Sequence, residues 1–328
     1  MMRGAFLSAL LLIAAPVQAQ TLEWVMPTEY PASSMPGEGL KVFADAVTAE
    51  TKGRLVVKPS FDASLGLKSA DMIKAVQERR VAGADAFAGA LGKEHPIFLL
   101  TSLPFVATTI AEARLLYDTA RPTYDKVLAS FEQKLLFSTP WPASGIWAKK
   151  AVTTPADLKT LAIRTYDATG TAVMKAAGAE ATLLSFADAM PKLREGAVNA
   201  VLSSGDGGAG RKLWEYLPHF MEINYAMPIS IVTVGRAAFD ALPADQRAAV
   251  ERAAAAAERH QWKLIETRLA ENYATMRTNG VTIATNIDPA LQSLLAQSAK
   301  TAVDEWTQRA GAEGAALLAE FRKRAGKS

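Results

Sequence analysis

Apolar positions along the first half of the chain switch between strand-like runs and helical spacing. Residues 22–26 form a short apolar strand, and Leu40, Phe43, Ala44 and Val47 recur at a helical period that predicts a helix over 35–51 stopped by Gly53. Residues 55–58 and 84–88 read as further strands, with a helix over 70–79 between them. Strand, helix, strand, helix, strand is the rhythm of a parallel α/β sheet. Residues 99–105 predict another extended run, closed by Pro104, and 111–117 and 123–133 predict two helices. A strand over 135–138 enters 140–145, where two prolines, a tryptophan and a glycine make a stiff crossing, read as the first passage between two lobes.

The second half turns on one abrupt change of polarity. Leu161, Ala162 and Ile163 end on Arg164, the pattern of a buried strand that delivers a cation to its carboxyl end, where open α/β sheets bind ligands. A guanidinium there can hold a carboxylate through two parallel N–H···O bonds and cannot lose its charge by titration. The alternative is a surface arginine paired with Asp157 or Asp167. Helices are predicted over 169–177 and 187–195, and a strand over 198–202. The β-branched run at 229–234 is long enough to cross back to the first lobe. The longest helical signal, 243–278, would reach roughly 50 Å if unbroken, enough to span both lobes. Its charges, from Arg247 to Glu266, exclude a membrane helix. Terminal helices follow over 290–299 and 301–309.

Composition narrows the class. At 328 residues, half of them hydrophobic and 21% charged, the chain is globular and long enough for two domains. The formal net charge is +3, and removal of Arg3 with a leader would leave +2, too balanced to argue for nucleic acid or a membrane surface. Arg3, an apolar stretch over 5–15 and a small-residue site at 17–19 read as a secretory signal peptide over 1–19, cut after Ala19. There is no cysteine, so neither a disulfide nor a lipid-modified cysteine is available, and a free periplasmic protein without membrane insertion is expected. Catalysis is poorly served. His95, His219 and His260 lack ligand-type spacing, no serine sits in a nucleophile elbow, and no cofactor or metal is expected. The glycine-rich stretch 203–210 lacks a P-loop lysine and carries Asp206, so it reads as a permissive turn.

The stretch Asp157, Leu158, then Ile163, Arg164, Thr165, then Gly178, Ala179, Ser185, Phe186 and Gly196, Ala197, Val198 resembles the TRAP-transporter solute-binding proteins of the DctP type. Leu65, Gly66 and the run from Leu103 to Phe105 extend the resemblance toward the N-terminus. It implies a two-lobe periplasmic binding protein fold of α/β class with a long lobe-spanning helix. Lobe I would hold 20–143 with about 232–270, and lobe II 144–231 with about 271–328. It also implies that Arg164 clamps a solute carboxylate, and that the partners are a small organic acid and an ion-driven membrane permease. Two departures bear on the solute. Ser203 stands where many members carry an asparagine, and the crossing lacks the second basic residue often found there. With Trp141, Tyr30, Ser64, Phe87, Tyr166 and Phe186 expected around the cleft, these departures favour a monocarboxylate with an apolar or aromatic body. Phe61 and Tyr225 are further aromatic candidates. A binding protein for another importer or a sensor, or a periplasmic enzyme on a similar scaffold, are the alternatives.

Overall fold

The computed structural model describes residues 21–327, so the leader expected at 1–19 lies outside the described residues. β1 (Leu22–Pro27), α1 (Met35–Glu50) and β2 (Leu55–Ser60) open the chain, followed by α2 (Met72–Gln77) and β3 (Gly83–Phe87). α1 begins where the Ser34 hydroxyl accepts the Gly37 N–H and Pro36 sits in the first turn, and it buries the four apolar positions whose spacing predicts it. Next come α3 (Ile110–Ser130), β4 (Gln133–Pro140), β5 (Ser144–Ala148), α4 (Pro155–Leu158) and β6 (Ala162–Thr165). α5 (Ala168–Ala176), β7 (Glu180–Leu183), α6 (Phe186–Arg194), β8 (Ala200–Ser204) and α7 (Gly205–Gly210) follow. β9 (His219–Met221), β10 (Ile229–Gly235), α8 (Arg236–Asp240), α9 (Ala244–Thr278), β11 (Thr282–Ala284) and α10 (Pro289–Arg324) complete the order.

These elements make two α/β lobes. In one, β10 lies between β3 and β4, antiparallel to both, and the parallel β1–β2 pair joins them where the Ala82 N–H donates to the Val25 carbonyl. In the other, the strand order is β11-β9-β5-β8-β6-β7, with β5 antiparallel to its neighbours and the other pairs parallel. The expected parallel sheet is therefore mixed. The antiparallel strands flank the crossings: β4 leaves the first lobe and β10 returns to it, so the two run in opposite senses.

Three other local expectations are corrected. Residues 96–102 form a 3-10 helix, not an extended run, started by Pro96 and the imidazole of His95, which accepts the Ile97 N–H. Residues 97–102 are all buried there, so apolar content gave no period to separate helix from strand. The two helices expected over 111–133 are one, α3, which carries Pro122 inside it between buried Ala120 and Thr123. The glycine-rich stretch is helical, not a turn. Ser204 caps α7 by accepting the Gly207 N–H at 3.1 Å, and a Cβ on Gly208 would collide with the Trp147 indole. Close packing on that indole overrides the low helix propensity of glycine.

α9 is the lobe-spanning element. Its 35 residues, roughly 50 Å at 1.5 Å per residue, run from α1 and β4 at one end to α7 at the other. Buried Ala249, Val250, Ala253, Ala254 and Ala257 let its first half lie close on the first lobe. α10 also serves both lobes. Leu291 and Leu295 belong to the second-lobe core, whereas Trp306, Leu318 and Phe321 pack with Tyr117 and Phe98 of the first, beyond or near a break at Gly311.

Candidate ligand-binding site

Between the lobes, Tyr30, Phe87, Trp141, Arg164, Tyr166, Phe186 and Ser203 line one narrow slot, joined by Ser144, Ser204, Gly207 and Pro228. The cavity they enclose is small, about 30 Å³. Two edge-to-face pairs form its walls. Tyr30 meets Trp141 at 4.8 Å between ring centroids, and Phe87 meets Tyr166 at 5.2 Å. The polar tips of the walls are held from behind: Trp141 Nε1 donates to Ser230 Oγ at 3.1 Å, and the Tyr166 hydroxyl to Ser144 Oγ at 3.2 Å. Burial pushes the Tyr30 and Tyr166 phenols up, so both stay neutral.

Arg164 sits near the end of β6, as its polarity change predicts, but it is 3% exposed and not a surface residue. Neither acid proposed as its partner pairs with it. Asp157 is engaged by the backbone N–H and hydroxyl groups of Thr153 and Thr154, and Asp167 caps α5 by accepting the Gly170 N–H at 2.7 Å. Arg164 Nε donates to the Leu184 carbonyl at 2.9 Å, Nη1 reaches the Leu202 carbonyl at 3.5 Å, and the guanidinium lies 4.7 Å from the Phe186 ring centroid. Among the described residues it forms no ion pair. Burial pulls its pKa down, against the opposing fields of Tyr30, Glu29, Tyr166 and Asp167, but a guanidinium keeps its proton. A buried cation whose direct contacts are carbonyls and a π-face, with nearby carboxylates engaged elsewhere, is poised for an anion.

Ser203 follows on β8. Its hydroxyl faces Gly207, where a Cβ would stand 2.5 Å from Ser203 Oγ, so the glycine keeps space open beside it. Ser64 is not part of the slot: it lies in an exposed loop, its hydroxyl shared with Ser60 at 2.7 Å. Phe61 is also outside the slot, and Tyr225 is buried behind it against Phe105. Ser144, Ser204, Gly207 and Pro228 were not anticipated. Gly207 was concealed in a run that reads as a turn, and Pro228 could be placed only by the second crossing, whose start the β-branched run at 229–234 does not mark.

Charged contacts tie the two rims together. Glu29 reaches from the first lobe to α6, where its Oε1 accepts the N–H groups of Phe186 at 2.8 Å and Ala187 at 3.3 Å. Lys68 pairs with Asp188 at 2.8 Å, and Arg211 pairs with Asp62 at 3.1 Å while donating to the Glu29 carbonyl at 2.8 Å. Asp206 of α7 accepts the Met35 N–H at 2.8 Å and pairs with Arg268 of α9 at 2.6 Å.

The sequence profile of the bacterial extracellular solute-binding proteins, family 7 (DctP), matches residues 26–313. Among solved structures, the chain is similar to DctP7 of Bordetella pertussis, an extracytoplasmic solute receptor binding pyroglutamic acid. It shares 31% identity with it at a TM-score of 0.88, over 92% of this chain and 100% of that one. DctP6 of the same organism, also a receptor binding pyroglutamic acid, is 30% identical at a TM-score of 0.87, over 92% of this chain and 99% of that one. The 2,3-diketo-L-gulonate-binding periplasmic protein YiaO of Escherichia coli (strain K12) is 28% identical over 258 residues, 76% of each chain. Among the described residues no helix is long and apolar enough to cross a membrane. With the two-lobe α/β fold, the lobe-spanning helix and a match over most of its length, this chain belongs to the DctP family of TRAP-transporter solute-binding proteins, receptors that carry small organic acids to a membrane permease.

Proposed function

We propose that this protein is a periplasmic receptor for a small, flat monocarboxylate of the pyroglutamate type, which it delivers to a TRAP permease. Arg164 holds the carboxylate, Ser203 hydrogen-bonds the same end, and the aromatic walls sandwich the ring. The observation that carries this reading is the buried Arg164 guanidinium facing the slot without a carboxylate of its own. An isolated buried charge is costly, and a ligand carboxylate with bidentate geometry offsets that cost. Size and polarity support a small ring over a sugar acid. The slot is narrow, five of its lining residues are aromatic, and a polyol would bring several hydroxyls against walls that offer few partners. The resemblance to two pyroglutamate receptors at 30% and 31% identity points the same way.

The test is calorimetric titration of protein that has been unfolded, stripped of co-purified solute and refolded. L-Pyroglutamate should bind, while its neutral carboxamide and galacturonate should not. Equal affinity for the carboxamide would remove Arg164 as the anchor, and binding of sugar acids alone would overturn the small-ring reading. Export is tested separately: the mature N-terminus in a periplasmic fraction should begin at Gln20.

A further inference from the structure

α6 has an incomplete N-terminus within its own lobe. The first N–H groups of a helix lack intrahelical partners. Ser185 satisfies one, its hydroxyl accepting the Asp188 N–H at 3.0 Å. The N–H groups of Phe186 and Ala187 instead meet Glu29, a residue 157 positions away in sequence and in the other lobe. Glu29 is gripped on every side. Its Oε2 accepts the Ser69 N–H at 2.9 Å, its carbonyl accepts Arg211 Nη2 at 2.8 Å, and it is 2% exposed. It does not line the slot, but Phe186 does, with its ring on the Arg164 guanidinium.

We propose that Glu29 is a positioning residue that makes ligand retention depend on lobe closure, by capping α6 across the cleft and so seating Phe186 over Arg164. This deepens the receptor reading and rests on it. A carboxylate on a helix N-terminus is favoured by the helix dipole and by charge-assisted bonds to N–H groups. When the lobes part, both partners return to water and the contact is lost. Capping therefore belongs to the closed state alone, and a contact with that property shifts the population toward it. Because Glu29 does not touch the solute, removing its charge changes how long the solute stays and not how fast it arrives.

The experiment compares wild type with Glu29→Gln and Glu29→Asp. The first keeps the shape and loses the charge, and the second keeps the charge and loses the reach. Stopped-flow kinetics with L-pyroglutamate should show a dissociation rate raised about tenfold in both, with the association rate within about twofold. The chain has no cysteine, so Gln77→Cys and Lys175→Cys, both at exposed positions in opposite lobes, give unique spin-label sites for an interlobe distance. The Glu29 variants should retain a long-distance population at ligand concentrations that close the wild type. Lys68→Met, which removes a half-exposed ion pair to the Asp188 side chain of α6 but leaves the Glu29 contacts to the Phe186 and Ala187 N–H groups in place, should change dissociation by less than about threefold. Dissociation rates and distances equal to wild type in both Glu29 variants would overturn the proposal. If the wild type itself fails to respond to L-pyroglutamate, the ligand reading falls. The distance distribution without ligand then decides the role of Glu29: fewer short distances in the variants support it, and an unchanged distribution overturns it.

Discussion

Two concave regions are lined in part by the segment joining β9 to β10, and the smaller one holds a buried cation. The groove behind that segment measures about 800 Å³ and is walled by Phe105, Val106, Ile223, Leu295, Val303 and Phe321, among others. Its charges are paired or open to water: Lys300 pairs with Asp304 at 2.6 Å, Lys327 with Glu112 at 2.7 Å and with the Val106 carbonyl at 3.1 Å, and Arg322 is exposed. The slot in front is far smaller, about 30 Å³, yet holds a buried cation that no side chain pairs with. Volume measures where something could fit. Unmet electrostatic demand indicates what must bind for the surroundings to be satisfied.

The largest effect should come from the cation itself. Arg164→Ala should weaken L-pyroglutamate binding by about 2–5 kcal/mol, roughly 30- to 5,000-fold, in a calorimetric titration. Retained affinity would mean that the front slot owes nothing to its charge and would erase the contrast with the groove.

A second effect concerns Asp85, two residues before the slot residue Phe87 on β3. Burial, helped by the field of Glu29 and opposed by a hydrogen bond from Thr28, pushes its carboxyl up to about 7. The folded protein then holds this proton at a pH where the unfolded chain has released it. Stability from this group is present near pH 4 and is lost as the pH rises toward about 7. Asp85→Asn cannot lose it, so between pH 4 and pH 8 the variant should gain roughly 2–4 kcal/mol on the wild type in urea midpoints. A difference that is flat with pH would show that the front of the molecule carries no such buried titration.

Smaller still is the effect of filling the slot. Gly207→Ala puts a Cβ against Ser203 Oγ and within 3.5 Å of the Phe186 ring. It should cost about 1–3 kcal/mol of ligand affinity, the scale of one methylene in a tight pocket. The smallest effect is expected behind. Ala296→Trp, at an exposed position in the groove, should leave affinity within about 0.5 kcal/mol. Loss of binding there would move the functional site to the groove and reverse the comparison.

Much of this architecture is legible in short stretches of chain. The spacing of Leu40, Phe43, Ala44 and Val47 specifies α1, the charge pattern and length of 243–278 specify α9, and the end of an apolar run on Arg164 marks a cation near the end of β6. Each depends on neighbours a few positions apart, on periods, caps and breakers. The glycine run failed because its helix is imposed by a distant indole, and residues 96–102 failed because uniform burial removes the period. Ser64 lies outside the slot because a loop near the cleft in sequence order need not face it in space. The family resemblance supplied the two-lobe frame and the role proposed for Arg164.

Composition and local order thus specify which elements form and which residues bear charge, since those preferences are short-ranged. They are silent on which surfaces meet. Arg164 reads as a possible surface residue until burial removes its acidic partners, and Glu29 carries no local signal at all. Its place at the head of α6, 157 residues away, exists only because two lobes close on each other and leave a carboxylate and two N–H groups with no water to bind.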